Sequence, residues 1–425
     1  MLEDGLFSLA TLVLTLAAVF GYINHQFLHL PRTIGLVLIA MAASLIALGI
    51  DALIPGWGVG PGFRAVLVDI DFSDTLMQGM LGFLLFAGAL HVDLGHLAKR
   101  GWAIAALATG GLLVSTGIVG VGIWFVFNLT GLNIPLIYCL LFGALISPTD
   151  PVAVLSILKT VKVPASLEAK IAGESLFNDG VGVVIFVILL AMATSGGNAL
   201  TLGDITFLFL REALGGAALG LAAGAVAFWA LRSIDEYNLE VIITLALVTV
   251  TYEVAHMLHT SGPIAVVVSG LLIGNHGTRL AMSETTRAHL TNFWTLIDEI
   301  LNAVLFLLIG LEVIIISTTP GLMWVSLIAI PLVLGARFVA VAVPIGVFGL
   351  FRDFTKGAIP VLTWGGLRGG ISVALALSLP NGDEKDAIVT VCYTVVVFSI
   401  LVQGLTIGKL VQRVVPTQSD VTAHN

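Results

Sequence analysis

Long apolar runs separated by short polar connections dominate the chain. A hydrocarbon layer needs roughly 20 apolar residues as helix, and on that measure thirteen spans are predicted. They cover approximately 5–24, 33–53, 76–95, 102–128, 133–158, 169–193, 205–231, 239–259, 261–275, 292–316, 321–350, 357–379 and 387–411. The ninth is short and the eleventh long.

Positive charge gives a separate reading of topology, because lysine and arginine accumulate on cytoplasmic connections. One set of alternate connections, together with the end of the chain, holds Arg32, Lys99, Arg100, Lys159, Lys162, Lys170, Arg232, Arg279, Arg287, Arg352, Lys356, Lys409 and Arg413; the other set holds Arg64 and Lys385. The N-terminus is therefore expected outside and the C-terminus in the cytoplasm. Arg211, Arg337 and Arg368 fall within spans.

Composition points the same way, with 58% hydrophobic and 10% charged residues in 425, which excludes ordinary soluble domains. The formal charge of −8 is spread over short connections, so no nucleic-acid partner is implied. Cys139 and Cys392 lie in apolar runs without metal-ligand or disulfide spacing and read as small buried side chains. The opening "MLEDGLFSLATLVL" has acids where a signal peptide would be basic, so the first span is expected to stay.

Two spans are interrupted. In "SPTDPVAV", Pro148 and Pro151 bracket Thr149 and Asp150, and each proline removes an amide donor and clashes with the preceding turn. In "TWGGLRGGISVALALSLP", four glycines surround Arg368 and weaken the helix. Freed backbone at that depth must line a cavity or face protein. The interruptions are seven spans apart, so spans one to six and eight to thirteen form two six-span halves of opposite orientation, broken at corresponding places. Secondary transporters with inverted repeats have that organisation. The fold class predicted is an all-α polytopic membrane protein of thirteen transmembrane helices, with two inverted six-helix repeats and crossed interrupted helices.

Buried charge supplies the chemistry. In "GESLFNDGVGVVIF", Glu174 and Asn178 are four residues apart, as are Ser175 and Asp179, giving two neighbouring polar stripes on a helix. A carboxylate in hydrocarbon escapes its cost by taking a proton, pairing with a cation or facing water. Asp179, with no evident buried partner, can hold a proton or a small cation but not comfortably both, which is the minimum machinery for exchange. Ser175, Thr149 and Asp179 offer hard oxygen atoms suited to an alkali cation. Glu174 is expected to pair with Arg337, whose own helix offers no partner. Asp150 and Arg368 are expected to neutralise each other or the ends of the broken helices. Arg211 is assigned to its neighbour Glu212, and His256 and His259 to the membrane interface. Gly216, Gly220 and Gly224 form a small-residue stripe for close helix packing, inside one protomer or between two.

With these motifs in place, the sequence resembles the first family of monovalent cation:proton antiporters, which includes NhaP-type bacterial sodium/proton antiporters and animal sodium/proton exchangers. The resemblance covers nearly all of the chain. It implies an NhaA-like antiporter fold, a homodimer in membrane lipid, and an elevator-like core formed by residues 101–193 and 318–411. Residues 1–100 and 194–317 would form the scaffold, and 412–425 a short cytoplasmic tail. It also implies that Asp179 binds cation and proton, that Ser175 and Thr149 help coordinate the cation, and that Asn178 supports the site. The Asn-Asp pair matches the pattern associated with electroneutral exchange. No cofactor is implied beyond the transported Na+, Li+ or K+ and H+, and the expected location is the bacterial inner membrane. Two departures stand out. Ala87 occupies the place where many relatives carry a third-span glutamate, and no long regulatory tail follows the last span, so no tail-binding partner is expected. A cation channel and an intramembrane aspartyl protease using Asp150 and Asp179 are the alternative readings.

Overall fold

The computed structural model describes residues 2–53, 75–92, 94–95, 105–152, 154–155, 158, 165–195, 201–278, 281–314, 320–349 and 357–414. Arg64, Lys99, Arg100, Lys159, Lys162, Arg279, Arg352, Lys356 and tail residues 415–425 lie outside this set, so their places in the topology stay expectations. The described elements are helices, apart from one isolated β-bridge. In chain order the main ones are α1 Leu2–Ile23, α2 Arg32–Leu53, α3 Leu81–Leu90, α4 Leu112–Leu129, α5 Leu136–Ile146, α6 Ala165–Thr194, α7 Leu202–Leu210 and α8 Gly216–Arg232. They continue with α9 Tyr237–Met257, α10 Gly262–Leu272, α11 Glu284–Leu311, α12 Pro320–Gly349, α13 Ala358–Trp364, α14 Gly370–Leu377, α15 Asp383–Phe398 and α16 Gly404–Val414.

Among the described residues, nine helical stretches are long and apolar enough to cross a membrane. The count of thirteen is therefore met in full at nine places. Shorter apolar helices occupy the expected third, fifth and ninth positions, and the twelfth is split into α13 and α14. Large side chains on the outer surface, such as Tyr22, Phe207, Val226 and Trp229, are exposed as a lipid-facing belt requires.

The two interruptions meet. The stretch after α5 and the stretch between α13 and α14 cross as an antiparallel β-bridge, with the Asp150 amide donating to the Leu367 carbonyl at 2.8 Å. One ladder bond at this crossing satisfies backbone that neither helix can serve. The glycines permit the approach: a Cβ on Gly369 would stand 2.5 Å from Asp150 Oδ2, and one on Gly366 would stand 2.6 Å from Arg337 Nε.

Around the crossing, α4, α5, α6 and α12 to α16 pack mainly on one another, while α2, α3 and α8 to α11 form a second packed group. Within the first group α4 and α5 lie nearly backbone to backbone, since a Cβ on Gly143 would meet the Thr116 carbonyl at 2.3 Å. In the second group the glycine stripe of α8 packs on α10. Gly220 faces the Ala265 carbonyl, and Gly216 the Ser261 carbonyl. The stripe thus serves packing inside the protomer.

Candidate ion-binding site

Residues 174 and 179 are separated by about 140° around an α-helix, whereas i and i+4 share a face. The two stripes on α6 accordingly point to different places. Ser175 and Asp179 line a cavity of about 900 Å³, and Glu174 and Asn178 lie behind it. All four are buried, Glu174 being 1% exposed and Asp179 8%.

Behind the cavity, Glu174 Oε1 accepts from Arg337 Nη1 at 2.5 Å, with both side chains under one-tenth exposed. Arg337 Nε also donates to the Leu362 carbonyl at 3.2 Å, near the end of α13. Arg368 does the equivalent for the other broken helix, where its guanidinium donates to the carbonyls of Ser147 and, at 2.9 Å, Pro148. The first half of each broken helix therefore directs its carbonyl end, the negative pole of its dipole, at a buried guanidinium.

Of the two expectations for Asp150 and Arg368, pairing with each other or serving the ends of the broken helices, the structure supports the second. Asp150 and Arg368 form no ion pair among the described residues. Asp150 instead accepts from the Val152 amide at 2.9 Å, where the chain resumes after the break. A crossing supplies orphan amides and carbonyls closer to each charge than the charges are to one another, and those groups take both side chains. Arg211 interacts electrostatically with Glu212 as expected, and its guanidinium also donates to the Leu258 carbonyl at 2.9 Å, just past α9.

Thr149 sits at the centre. Its carbonyl accepts from Ser175 Oγ, its hydroxyl accepts from Asn178 Nδ2 at 3.0 Å, and its amide donates to Asn178 Oδ1 at 3.3 Å. Asn178 thus clamps the unwound segment to α6. Each oxygen of Ser175 and Thr149 keeps lone-pair capacity after these bonds, and both residues line the cavity. The Asp179 carboxylate makes no hydrogen bond or ion pair among the described residues. A buried acid beside two hard-oxygen donors, open to a cavity and unpaired, can exchange a proton for an alkali cation.

A model of the family described as sodium/hydrogen exchanger, transmembrane, matches residues 14–413. The chain belongs to that family. It is 46% identical over 423 residues to the Na(+)/H(+) antiporter NhaP of Pseudomonas aeruginosa, covering 97% of this chain and 98% of that protein. It is 36% identical over 388 residues to the Na(+)/H(+) antiporter NhaH of Halobacillus dabanensis, covering 90% and 92%. The solved structure of the sodium proton antiporter MjNhaP1 from Methanocaldococcus jannaschii superposes with a TM-score of 0.71 at 20% identity, covering 96% of this chain and 98% of that one, which shows a shared fold.

In this exchanger family member, the opposite wall of the cavity holds residues that sequence reasoning passed over. On α11, Asp298 accepts from Asn302 Nδ2 at 3.0 Å, and Glu299 pairs with Arg32 at 2.5 Å. His91 bonds the Ala87 carbonyl through Nδ1 at 2.7 Å and Thr295 through Nε2 at 3.2 Å. A signal existed in "TLIDEILN", two acids and an asparagine inside an apolar run with Asp298 and Asn302 one turn apart. Ala87 itself lines the cavity, so α3 brings no carboxylate to this point.

Proposed function

We propose that the protein is a secondary antiporter of the bacterial plasma membrane that exchanges Na+ for H+, with Li+ and K+ as alternative cations. The observation that carries this reading is the Asp179 carboxylate, buried, unpaired and open to the cavity beside Thr149 and Ser175. Names of relatives with up to 46% identity support the substrate pair. Asp179 takes either ion, the Ser175 hydroxyl and Thr149 contribute oxygen ligands, and Asn178 holds Thr149 in place. A single titrating carboxylate exchanges one cation for one proton, so transport is electroneutral.

Alternating access follows the same geometry. The crossing, with Asp179, belongs to residues 101–193 and 318–411, which form a moving core. Residues 1–100 and 194–317 form the scaffold of a homodimer. Two inverted six-span halves generate the crossing, and the bias of positive charge puts the N-terminus outside and the cavity mouth, near Arg32, on the cytoplasmic side. No observation favours a channel, and Asp150 bonds backbone instead of sharing a proton with Asp179, which leaves a protease dyad without its geometry.

The test is proton flux in proteoliposomes challenged with each alkali cation in turn. Asp179→Asn is expected to abolish cation-driven flux while the protein still purifies folded. Substantial residual flux in that variant would overturn the assignment.

A further inference from the structure

Arg32 is an odd residue to find at the mouth of a cation pathway. It opens α2, where the helix dipole is positive and disfavours a cation. Among the described residues lining the cavity it is the one lysine or arginine, and it shares that lining with Asp150, Asp179, Asp298 and Glu299. Its partner is Glu299 on α11, with Nη1 to Oε2 at 2.5 Å and side-chain exposures of 68% and 52%. A pair this exposed adds little stability.

The chain nevertheless holds Arg32 in place. Asn24, 4% exposed, clamps Leu30 in both directions, donating from Nδ2 to its carbonyl at 2.9 Å and accepting its amide on Oδ1 at 3.3 Å. Gly35 leaves the space for that clamp, because a Cβ there would stand 2.2 Å from Asn24 Oδ1. The turn leading into α2 is thereby fixed two residues before Arg32. What the pair does change is the field at the mouth, since a paired Glu299 no longer adds its full charge to the acidic wall.

From this geometry we infer that Arg32 and Glu299 form a charge gate on the cation's path: while paired, Arg32 withholds Glu299 from the incoming cation and so lowers apparent affinity from the cavity side. The inference rests on the antiporter reading above. Any cation that competes for Glu299 loosens the pair, so the gate tunes affinity without choosing among alkali cations.

The experiment measures the half-saturating Na+ concentration for proton flux at fixed pH, in everted and right-side-out membrane vesicles, at low and high ionic strength set with choline chloride. Arg32→Gln is expected to lower that concentration about two- to fivefold at low ionic strength, from the cavity side only, with the effect lost at high salt. Arg32→Gln/Glu299→Gln should return it to within about twofold of the parent, and Arg32→Lys should stay near the parent. Glu299→Gln alone, which leaves Arg32 uncompensated, should raise it, and it serves as the second variant if Arg32→Gln does not fold. An unchanged or raised value in Arg32→Gln, an equal shift from both sides, or a double variant that keeps the lowered value would overturn the gate. Flux surviving Asp179→Asn would instead overturn the antiporter reading, so the two failures are distinguishable.

Discussion

Glu174 and Asp179 are acids five positions apart on one helix, and rotation about that helix separates their fates. Glu174 turns toward Arg337 and is consumed by a dry ion pair; Asp179 turns toward the cavity, which Ser175 and Thr149 also line. Removing one partner of a buried pair strands the other, so Glu174→Ala is expected to cost about 3–5 kcal/mol. A thermal-unfolding comparison in detergent checks this, and the double change Glu174→Gln/Arg337→Met should recover part of the loss. At Asn178 the effect is local. Asn178→Ala breaks both bonds to Thr149 and should cost about 1–3 kcal/mol while weakening cation affinity, read as a raised half-saturating Na+ concentration in the same flux assay. Much of this was legible in the sequence, since two i, i+4 stripes and an arginine lacking a partner on its own helix suffice to pair Glu174 with Arg337. That Asp150 and Arg368 could serve the ends of the broken helices was legible as well, but which backbone groups they and Arg211 bond was not, because those partners are amides and carbonyls. Every residue offers such groups, and they leave no mark in the letters.

Among the helices, the informative features are the breaks and the glycines. Two prolines in the fifth span and four glycines in the twelfth mark where helices stop, but only the packed structure shows that the two stops meet at the Asp150 to Leu367 bridge. Because the first half-helices end buried, their carbonyls need donors, and Arg368 and Arg337 supply them. Glycine contacts with backbone leave no flexible neighbour to yield. Gly143→Ala should therefore push α4 and α5 apart and cost about 1–3 kcal/mol, a difference that thermal unfolding resolves. The α8 stripe illustrates what spacing alone leaves open: a small-residue pattern reads identically for an internal contact and a dimer contact, and the position of α10 decides between them.

For the whole molecule, the proposed sharing of one carboxylate by two ions gives a pH dependence of defined sign. On that proposal protons and cations compete for Asp179, so lowering the pH in the range where it is protonated should raise the half-saturating Na+ concentration by up to about tenfold per pH unit. A titration of flux against Na+ at several pH values measures this directly. The proposed one-for-one exchange would move no net charge, and an imposed potential, which is worth about 2.3 kcal/mol per elementary charge at 100 mV, should then leave the rate unchanged. A rate that follows the potential would require a second charge. Apolar run length, proline and glycine placement and the scarcity of charge by themselves determined that this chain lives in a membrane and breaks two helices there. The far wall of the cavity, the carbonyl each arginine caps and the pairing of Arg32 with Glu299 were decided only by tertiary structure. Those contacts join positions as many as 267 residues apart, and the energy of a contact between distant segments depends on how the helices pack, not on the residues taken one at a time.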